Sequence, residues 1–362
     1  MRSYINNSVS RGISISPVVS KVFEHCILDR YSRYFVSNES QFGFKKGSGC
    51  RDAIFSVRSV VDNFVKHNST VNLCALDLTK AYDKMNHQGL FIRLMEKNIP
   101  CQILLIIENW FKNSSTCVRF GNLFSNFFTM QCGVRQGGVL SPYLFATYID
   151  TVIERVKALN VGCKLKLANF SILVYADDIL LISPTVTALQ TLLTYCENEL
   201  LAIDMHINPK KCFCIRFGPD YSIKPKCIQT IAGVDLSWVN EVRYLGMHFC
   251  SKRTFTCTIH SSKCSFYMAF NAIFGKIGGI ASEETILHLL RVKCLPILLY
   301  SIEAISLKKQ QMNSLQFAIQ SCFSKIFKTK SNEILMNAMI ILDSLKLMTS
   351  SNGGVKTFLK KN

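Results

Sequence analysis

Hydrophobic and polar positions follow two different rhythms along this chain, one typical of buried strands and one typical of amphipathic helices. The clearest strand signal lies in residues 169–183, where two apolar runs, 172–175 and 179–182, flank the centre Ala176-Asp-Asp178. Runs this apolar suit buried strands, and a short acidic centre suits a tight turn. The stretch therefore predicts a buried hairpin that carries two carboxylates at its tip.

The two adjacent carboxylates, Asp177 and Asp178, repel each other and resist burial unless a cation binds there. The alternative is a plain solvated turn, because Asp is a common turn residue. A second predicted strand, residues 71–78, ends in another acid, Asp77. Two-metal phosphoryl transfer needs carboxylates from separate strands at one point. The second acidic strand end therefore favours a metal site over a solvated turn.

Helical periodicity occupies much of the remaining chain. Ser16-Pro17 predicts a helix start, and we expect this helix to bury one apolar face, formed by Val19, Val22, Phe23, Cys26 and Ile27. Further helices are predicted near residues 52–67, 88–97, 101–112, 142–156 and 185–203, and over most of 262–328. A hairpin is predicted to turn at Gly121-Asn122, and short strands are predicted at 212–217 and near 242–246.

Cysteine usage and hydropathy bear on location. None of the sixteen cysteines forms a Cys-x-x-Cys pair, which is typical of reduced thiols in an intracellular protein, nuclear or cytoplasmic. We expect many of them to pack in the core, among them Cys26, Cys74, Cys101 and Cys196. The apolar segment 289–307 contains Arg, Lys, Pro and Glu, so it predicts a buried helix and turn and no membrane partner.

The positive charge is concentrated in the second half of the chain. Residues 1–204 contain 21 Lys and Arg against 16 Asp and Glu, a net of +5, whereas residues 205–362 contain 21 against 8, a net of +13. A strongly basic half favours a polyanionic partner such as nucleic acid. Solubility alone would explain a milder excess.

Five motifs stand in order along the chain: Ala75-Leu-Asp-Leu-Thr-Lys-Ala-Tyr-Asp83, Gly133-Val-Arg-Gln-Gly-Gly-Val-Leu-Ser-Pro142, Tyr175-Ala-Asp-Asp178, Asn208-Pro-Lys-Lys211 and Tyr244-Leu-Gly246. Their order and spacing resemble the reverse transcriptase motifs of non-LTR (LINE-type) retrotransposons. Upstream, Arg11-Gly-Ile-Ser14 and Gln41-Phe-Gly-Phe44 resemble that family's two fingers motifs. The resemblance covers about residues 8–330, and five ordered motifs make it specific.

The resemblance implies an α/β chain with the right-hand polymerase fold. It predicts fingers and a palm over residues 1–250, with an antiparallel palm sheet, and a helical thumb over residues 251–330. Residues 331–362 are predicted to form a C-terminal extension that is partly disordered. Because no endonuclease and no Cys/His-rich C-terminal segment is present, we expect a truncated element copy or a partial gene.

The resemblance also assigns the catalytic residues. Asp77, Asp177 and Asp178 are expected to be catalytic and to bind two Mg²⁺ ions, with Mn²⁺ as a substitute. Tyr82, five residues after the first acid, matches an aromatic residue that excludes a ribose 2′-OH. Core packing is the alternative role for Tyr82.

Further substrate and primer contacts follow from the same motifs. Gln136 and Gly137 match a loop that the nucleotide and template approach closely, with packing as the alternative for Gln136. Arg11 matches a fingers arginine over the triphosphate, and Lys211 matches a lysine near the pyrophosphate that is a candidate general acid. An ordinary surface position is the alternative for both. Primer contacts are expected from Tyr244, Leu245 and Gly246.

The function implied is RNA-directed DNA synthesis, in which a primer 3′-OH, such as a nicked target DNA end, is extended on an RNA template from dNTPs. One alternative is a truncated, inactive relic that only binds RNA or an RNA–DNA hybrid. A second is another palm polymerase, encoded by an intron or making RNA. Tyr82 and the loop at Gln136 argue against a polymerase that makes RNA.

Overall fold

The computed structural model describes residues 13–329 and residue 331. Arg11 and nearly all of the predicted C-terminal extension lie outside the described residues. The α-helices of the described part are α1 (Val18–Tyr31), α2 (Cys50–Lys66), α3 (Ala81–Lys84), α4 (His87–Glu96), α5 (Cys101–Lys112), α6 (Ser141–Ala158), α7 (Val186–Leu201), α8 (His260–Ile277), α9 (Glu283–Leu289), α10 (Leu295–Leu298) and α11 (Lys309–Ile326). Shorter helical turns are Ser32–Tyr34, Pro209–Lys211, Leu290–Cys294 and Ile302–Ala304.

The strands of the same part are β1 (Val71–Asp77), β2 (Ser115–Thr116), β3 (Arg119–Phe120), β4 (Leu123–Phe124), β5 (Phe128–Thr129), β6 (Lys164–Leu165), β7 (Ala168–Asn169), β8 (Ile172–Tyr175), β9 (Asp178–Ser183), β10 (Phe213–Phe217), β11 (Ile228–Gln229), β12 (Asp235–Trp238), β13 (Glu241–Tyr244), β14 (Met247–Cys250) and β15 (Thr256–Thr258). The predicted hairpins at β3–β4 and β8–β9 are both confirmed.

The chain divides into two compact units. Of the described residues, the first unit contains those up to Gly49, together with Val71–Cys214 and Lys224–Trp238. The second unit contains Cys50–Thr70, Ile215–Ile223 and the described residues from Val239 onward. The proposed boundaries of fingers, palm and thumb near residues 250 and 330 stay predictions.

A six-stranded sheet in the order β11-β12-β10-β1-β9-β8 forms the centre of the first unit. Strand β1 pairs antiparallel with β9 from Asn72↔Ser183 to Asp77↔Asp178, and β9 pairs antiparallel with β8. The sheet is therefore antiparallel where the acids lie, as predicted. It is mixed at its other side, because the long connection after β10 brings β12 back parallel to it.

Helices α6 and α7 belong to the same hydrophobic core as the sheet, with Val152, Ile153 and Leu192 fully or almost fully buried. Apolar residues recur in both helices with the 3.6-residue period of an α-helix, so they form one apolar face that packs on the sheet. Cys74 and Cys196 are buried in this core, as predicted, whereas Cys26 and Cys101 are exposed, contrary to the prediction.

The predicted buried face of α1 is wrong. Val19 is 80% exposed and Val22 56% exposed, while Ile27 and the polar Glu24 are buried. The reason is local, because the Glu24 carboxylate accepts a hydrogen bond from the Leu140 N–H at the start of α6. That contact turns a different side of α1 towards the protein.

The second unit combines a small antiparallel sheet, in the order β13-β14-β15, with a helical core. Phe266 and Phe270 of α8 pack with Leu315 and Phe323 of α11. By length and composition, one helical stretch of the described residues, Glu283–Ala304, is apolar enough to cross a membrane, and 33% of its most apolar window is buried. Core helices pass this test too, and the absence of a membrane partner stays a prediction.

Candidate active site

Two acidic strand ends meet at one edge of the central sheet. Asp77 closes β1 and lies directly opposite Asp178, the first residue of β9. Asp177 lies in the two-residue turn between β8 and β9, where Ala176 adopts a left-handed φ of 57°. Residues directly opposite in an antiparallel pair have Cβ atoms about 4.5–5.5 Å apart. The hairpin predicted from residues 169–183 thus brings its acids beside Asp77.

A cleft of about 680 Å³ opens at this edge, and most of the predicted site residues line it. Its lining includes, from the predicted set, Asp77, Tyr82, Gln136, Gly137, Asp177 and Lys211. Asp178 is not part of the lining, although it pairs with Asp77 across the ladder. These predicted residues come from four separate segments of the sequence, which therefore converge on one concave surface.

Lys211 supplies positive charge next to the first acid. Its Nζ lies 3.7 Å from Asp77 Oδ2, and the lysine side chain is 64% exposed. The backbone places it there, because the Asn208 N–H donates to the Asp77 carbonyl and the turn Pro209–Lys211 follows at once. An exposed ion pair of this kind contributes about 0–1 kcal/mol to stability. The pair therefore matters because it brings a positive charge next to Asp77, and not because it stabilises the fold.

A buried thiol beside this lysine adds no charge to the site. Burial raises the pKa of Cys212 to about 11. The thiol is therefore protonated at pH 7, and the charged groups of the cleft are its carboxylates, its lysines and Arg135.

Tyr82 combines a packing contact with a position in the cleft. Its ring stacks on Phe145 of α6, with centroids 4.4 Å apart and planes inclined by 26°. The Tyr82 carbonyl also accepts from the Val134 N–H. The structure thus gives Tyr82 the surroundings of both proposed roles, packing and sugar contact.

The loop at Gln136 is held by polar contacts on both sides. Gln136 Nε2 donates to Asp83 Oδ1 at 3.0 Å, and the Gln136 carbonyl accepts from the Ser14 N–H at 2.8 Å. Gly137 has a φ of +114°, and a Cβ there would lie 2.9 Å from the Ser14 carbonyl oxygen. Only glycine fits this position, because a side chain would meet both strain and a clash.

The Tyr244-Leu-Gly246 motif lies in the second unit, as the turn of the β13–β14 hairpin. Leu245 and Gly246 both have positive φ, as two-residue hairpins favour. Tyr244 is buried, and the Tyr300 ring lies 2.9 Å from where a Gly246 Cβ would stand. The predicted primer-contact residues therefore lie together where β13 turns into β14.

The donor chemistry of the cleft suits a hard divalent cation. Carboxylate oxygens are the ligands that Mg²⁺ uses in proteins. Asp77 supplies them from the end of β1, and Asp177 supplies them from the turn between β8 and β9. Among the described residues, no three His, Cys, Asp or Glu side chains are gathered closely enough to hold a metal ion as they stand.

Some residues at this edge were not among those predicted from the sequence. Thr79, Lys80 and Asn208 also line the cleft, and Lys80 has a left-handed φ of 50°. Gln41, which opens the predicted fingers motif Gln41-Phe-Gly-Phe44, is fully buried against the acidic turn Ala176-Asp177. Proximity in sequence to Asp77 was the available signal for Thr79 and Lys80.

Residues 6–249 match the family model described as "Reverse transcriptase (RNA-dependent DNA polymerase)". The Pol polyprotein of the type-2 retrotransposable element R2DM from Drosophila melanogaster is 26% identical over 256 residues, which are 68% of this chain and 24% of that protein. The RNA-directed DNA polymerase of the mobile element jockey from Drosophila funebris is 26% identical over 269 residues, 71% of this chain and 28% of that protein.

Among solved structures, the chain is similar to apo telomerase from Candida tropicalis, with a TM-score of 0.47, 14% identity, and coverage of 90% of this chain and 53% of that one. The chain spans about a quarter of the length of the curated relatives it matches. The matched family model covers more than half of the chain. The chain belongs to the reverse transcriptase family, and its relatives place it with the reverse transcriptases of non-LTR retrotransposons.

Proposed function

We propose that this chain is an RNA-directed DNA polymerase that extends a primer 3′-OH on an RNA template. The observation that carries the proposal is the cleft in which Asp77 and Asp177 meet Tyr82, Gln136 and Lys211. These acids come from two neighbouring strand ends, as nucleotidyl transfer between two metal ions requires.

Asp77 and Asp177 would hold two Mg²⁺ ions, with Asp178 completing the set and Mn²⁺ able to substitute. When bound, such ions lower the pKa of the primer 3′-OH and neutralise the charge of the leaving pyrophosphate. Lys211, whose Nζ lies 3.7 Å from Asp77 Oδ2, would hold a proton near the same phosphates. It is our candidate for the general acid.

The remaining residues orient the substrates. Tyr82 would lie under the sugar of the incoming nucleotide and exclude a 2′-OH. Gln136 and Gly137 would let the nucleotide and the template backbone approach the loop, since Gly137 has no side chain. Tyr244, Leu245 and Gly246 would contact the primer, and Arg11 the triphosphate.

The partners of this activity are an RNA template, a DNA primer and dNTPs, with no membrane. The excess of positive charge in residues 205–362, a net of +13, supports binding of an RNA–DNA hybrid through its phosphates. An intracellular site of action, nuclear or cytoplasmic, agrees with cysteines that are all free among the described residues.

Primer extension tests the proposal. A labelled DNA primer annealed to an RNA template is incubated with the chain, dNTPs and Mg²⁺, and a parallel reaction contains a chelator. We expect full extension with Mg²⁺ and none with the chelator. Binding of the hybrid without extension in Mg²⁺ or Mn²⁺ would contradict the proposal and identify an inactive relic that only binds nucleic acid.

A further inference from the structure

A buried glutamine is attached to the turn that carries the acids. Gln41 is fully buried, and its Oε1 accepts two backbone hydrogen bonds, from the Gly43 N–H at 2.9 Å and from the Ala176 N–H at 3.0 Å. Ala176 immediately precedes Asp177. One side-chain oxygen therefore joins the segment around Gln41 to the acidic turn, across 135 positions of sequence.

The acidic turn needs such support, because its backbone is strained. Ala176 has a φ of +57° at the first position of a two-residue turn, where hairpins with positive φ favour glycine. Alanine is disfavoured in the left-handed region by its Cβ. A hydrogen bond that the Ala176 N–H donates to a fixed acceptor therefore opposes relaxation of the turn.

The segment that contains Gln41 is itself fixed to the hairpin. Strand β8 lies at the edge of the central sheet, and residues 40–42 pair with it: the Val174 N–H donates to the Ser40 carbonyl, and the Phe42 N–H donates to the Val174 carbonyl, both at 2.8 Å. Backbone contact is close enough that a Cβ on Gly43 would lie 2.5 Å from Ala176 N. Gln41 thus has little freedom to move away from the turn.

The amide nitrogen of Gln41 distinguishes this residue from an ordinary buried polar residue, whose polar atoms are all hydrogen-bonded. Gln41 Nε2 is buried and has no hydrogen-bond partner among the described residues. Buried polar groups are normally paired, and an exception calls for a reason. A nonpolar side chain would avoid this unpaired donor, so the value of a glutamine here lies in its Oε1.

We propose that Gln41 is a positioning residue that fixes the backbone of the turn at Ala176 and thereby sets the place at which Asp177 and Asp178 bind divalent metal. This inference rests on the proposed function of those acids. Gln41 is fully buried and does not line the cleft, so it would act only through the turn.

Mn²⁺ binding to the chain without nucleic acid tests this role, because it does not depend on catalysis. Free Mn²⁺ is followed by electron paramagnetic resonance in wild type, Gln41→Met, Gln41→Glu and Asp177→Asn. Methionine has a similar size but no acceptor, whereas glutamate retains one. Loss of groups that support metal ligands typically weakens binding by about 10–100-fold. We expect Gln41→Met to bind Mn²⁺ about tenfold more weakly than wild type. Gln41→Glu should keep most of the wild-type affinity for Mn²⁺, and Asp177→Asn should lose the Mn²⁺ site.

A matched control lies at the other end of the β1–β9 pair, far from Asp77 and Asp178. Asn72 of β1 is 1% exposed, and its Nδ2 donates to the Pro184 carbonyl just after β9. Asn72→Leu should lower the melting temperature and leave Mn²⁺ binding unchanged.

Two results would overturn the proposal. In the first, Gln41→Met lowers the melting temperature but binds Mn²⁺ as tightly as wild type. In the second, the wild-type chain has no Mn²⁺ site that is lost in Asp177→Asn. Failure of the proposed polymerase function gives a different result. The wild-type chain would then not extend primers, while the difference in Mn²⁺ binding between Gln41→Met and wild type would persist.

Discussion

Tyr82 shows how one side chain can serve packing and chemistry together. Its ring is held by stacking on Phe145, with 4.4 Å between centroids, and it also lines the cleft with the acids. A purely apolar pocket rejects an added hydroxyl only about a hundredfold. A ring fixed by a neighbour cannot fold away, so it can exclude a 2′-OH more strictly.

Replacing this ring tests its role in sugar selection. Tyr82→Val should raise rNTP incorporation relative to dNTP incorporation and keep much of the dNTP rate, because the removed ring no longer meets the 2′-OH. The measurement is the ratio of kcat/KM for dNTP and rNTP. Truncating a buried ring also costs up to about 3–5 kcal/mol of stability, so a melting curve accompanies it.

Tyr195 of α7 offers a matched control, because it is another half-buried ring packed on the same core. Tyr195→Val should lower stability and leave the sugar ratio as in wild type. If Tyr82→Val also leaves the ratio unchanged, Tyr82 is a packing residue and another group selects the sugar.

At the scale of elements, helix α1 stabilises the start of helix α6. The buried Glu24 carboxylate accepts from the Leu140 N–H at 2.7 Å, and a negative charge at a helix N-terminus is favourable. The loop containing Gln136 and Gly137 runs directly into this point, and a Cβ on Gly138 would lie 3.3 Å from Glu24 Oε2. Helix α1 therefore supports one wall of the cleft.

Changing Glu24 tests this support. Glu24→Leu should lower the free energy of unfolding by about 1–3 kcal/mol, because it leaves a buried N–H without an acceptor. Glu24→Gln keeps an acceptor oxygen and should cost less. Denaturant unfolding measures both variants, and equal stability of the leucine variant and wild type would show that this contact does not stabilise α6.

The sequence predicted the central strands correctly, but it did not predict which face of α1 is buried. Strands β1, β8 and β9 have strong period-two or continuous apolar patterns, and their pairing followed from acids at their ends. The prediction of the buried face of α1 was wrong because apolar residues surround most of this helix. A polar contact between Glu24 and Leu140 decides which side is buried. Gln41 was missed because its burial depends on a turn 135 positions away.

At the scale of the whole molecule, the uneven charge predicts how the chain binds nucleic acid. Residues 205–362 carry a net charge of +13. Lys and Arg that neutralise phosphates release counterions, and this release makes affinity fall with salt. If this half neutralises about six phosphates, affinity for an RNA–DNA hybrid should fall roughly a thousandfold between about 50 and 200 mM salt.

Fluorescence anisotropy of a labelled hybrid across this salt range measures the slope. A slope close to zero would show that the excess charge only solvates the surface. A steep slope would place hybrid binding mainly on phosphate contacts.

The central claim is that the acids at the edge of the sheet perform nucleotidyl transfer, and Asp177→Asn tests it most directly. Primer extension and hybrid affinity are measured on the same preparation, with Asp235→Asn, at an exposed position of β12, as the control. Loss of one carboxylate should slow extension by ~10³ or more, at about 1.36 kcal/mol per factor of ten. Hybrid affinity should stay within about twofold of wild type, since the half-buried Asp177 carboxylate contributes little to phosphate binding. Extension by Asp177→Asn at the rate of wild type and of the control would contradict the account.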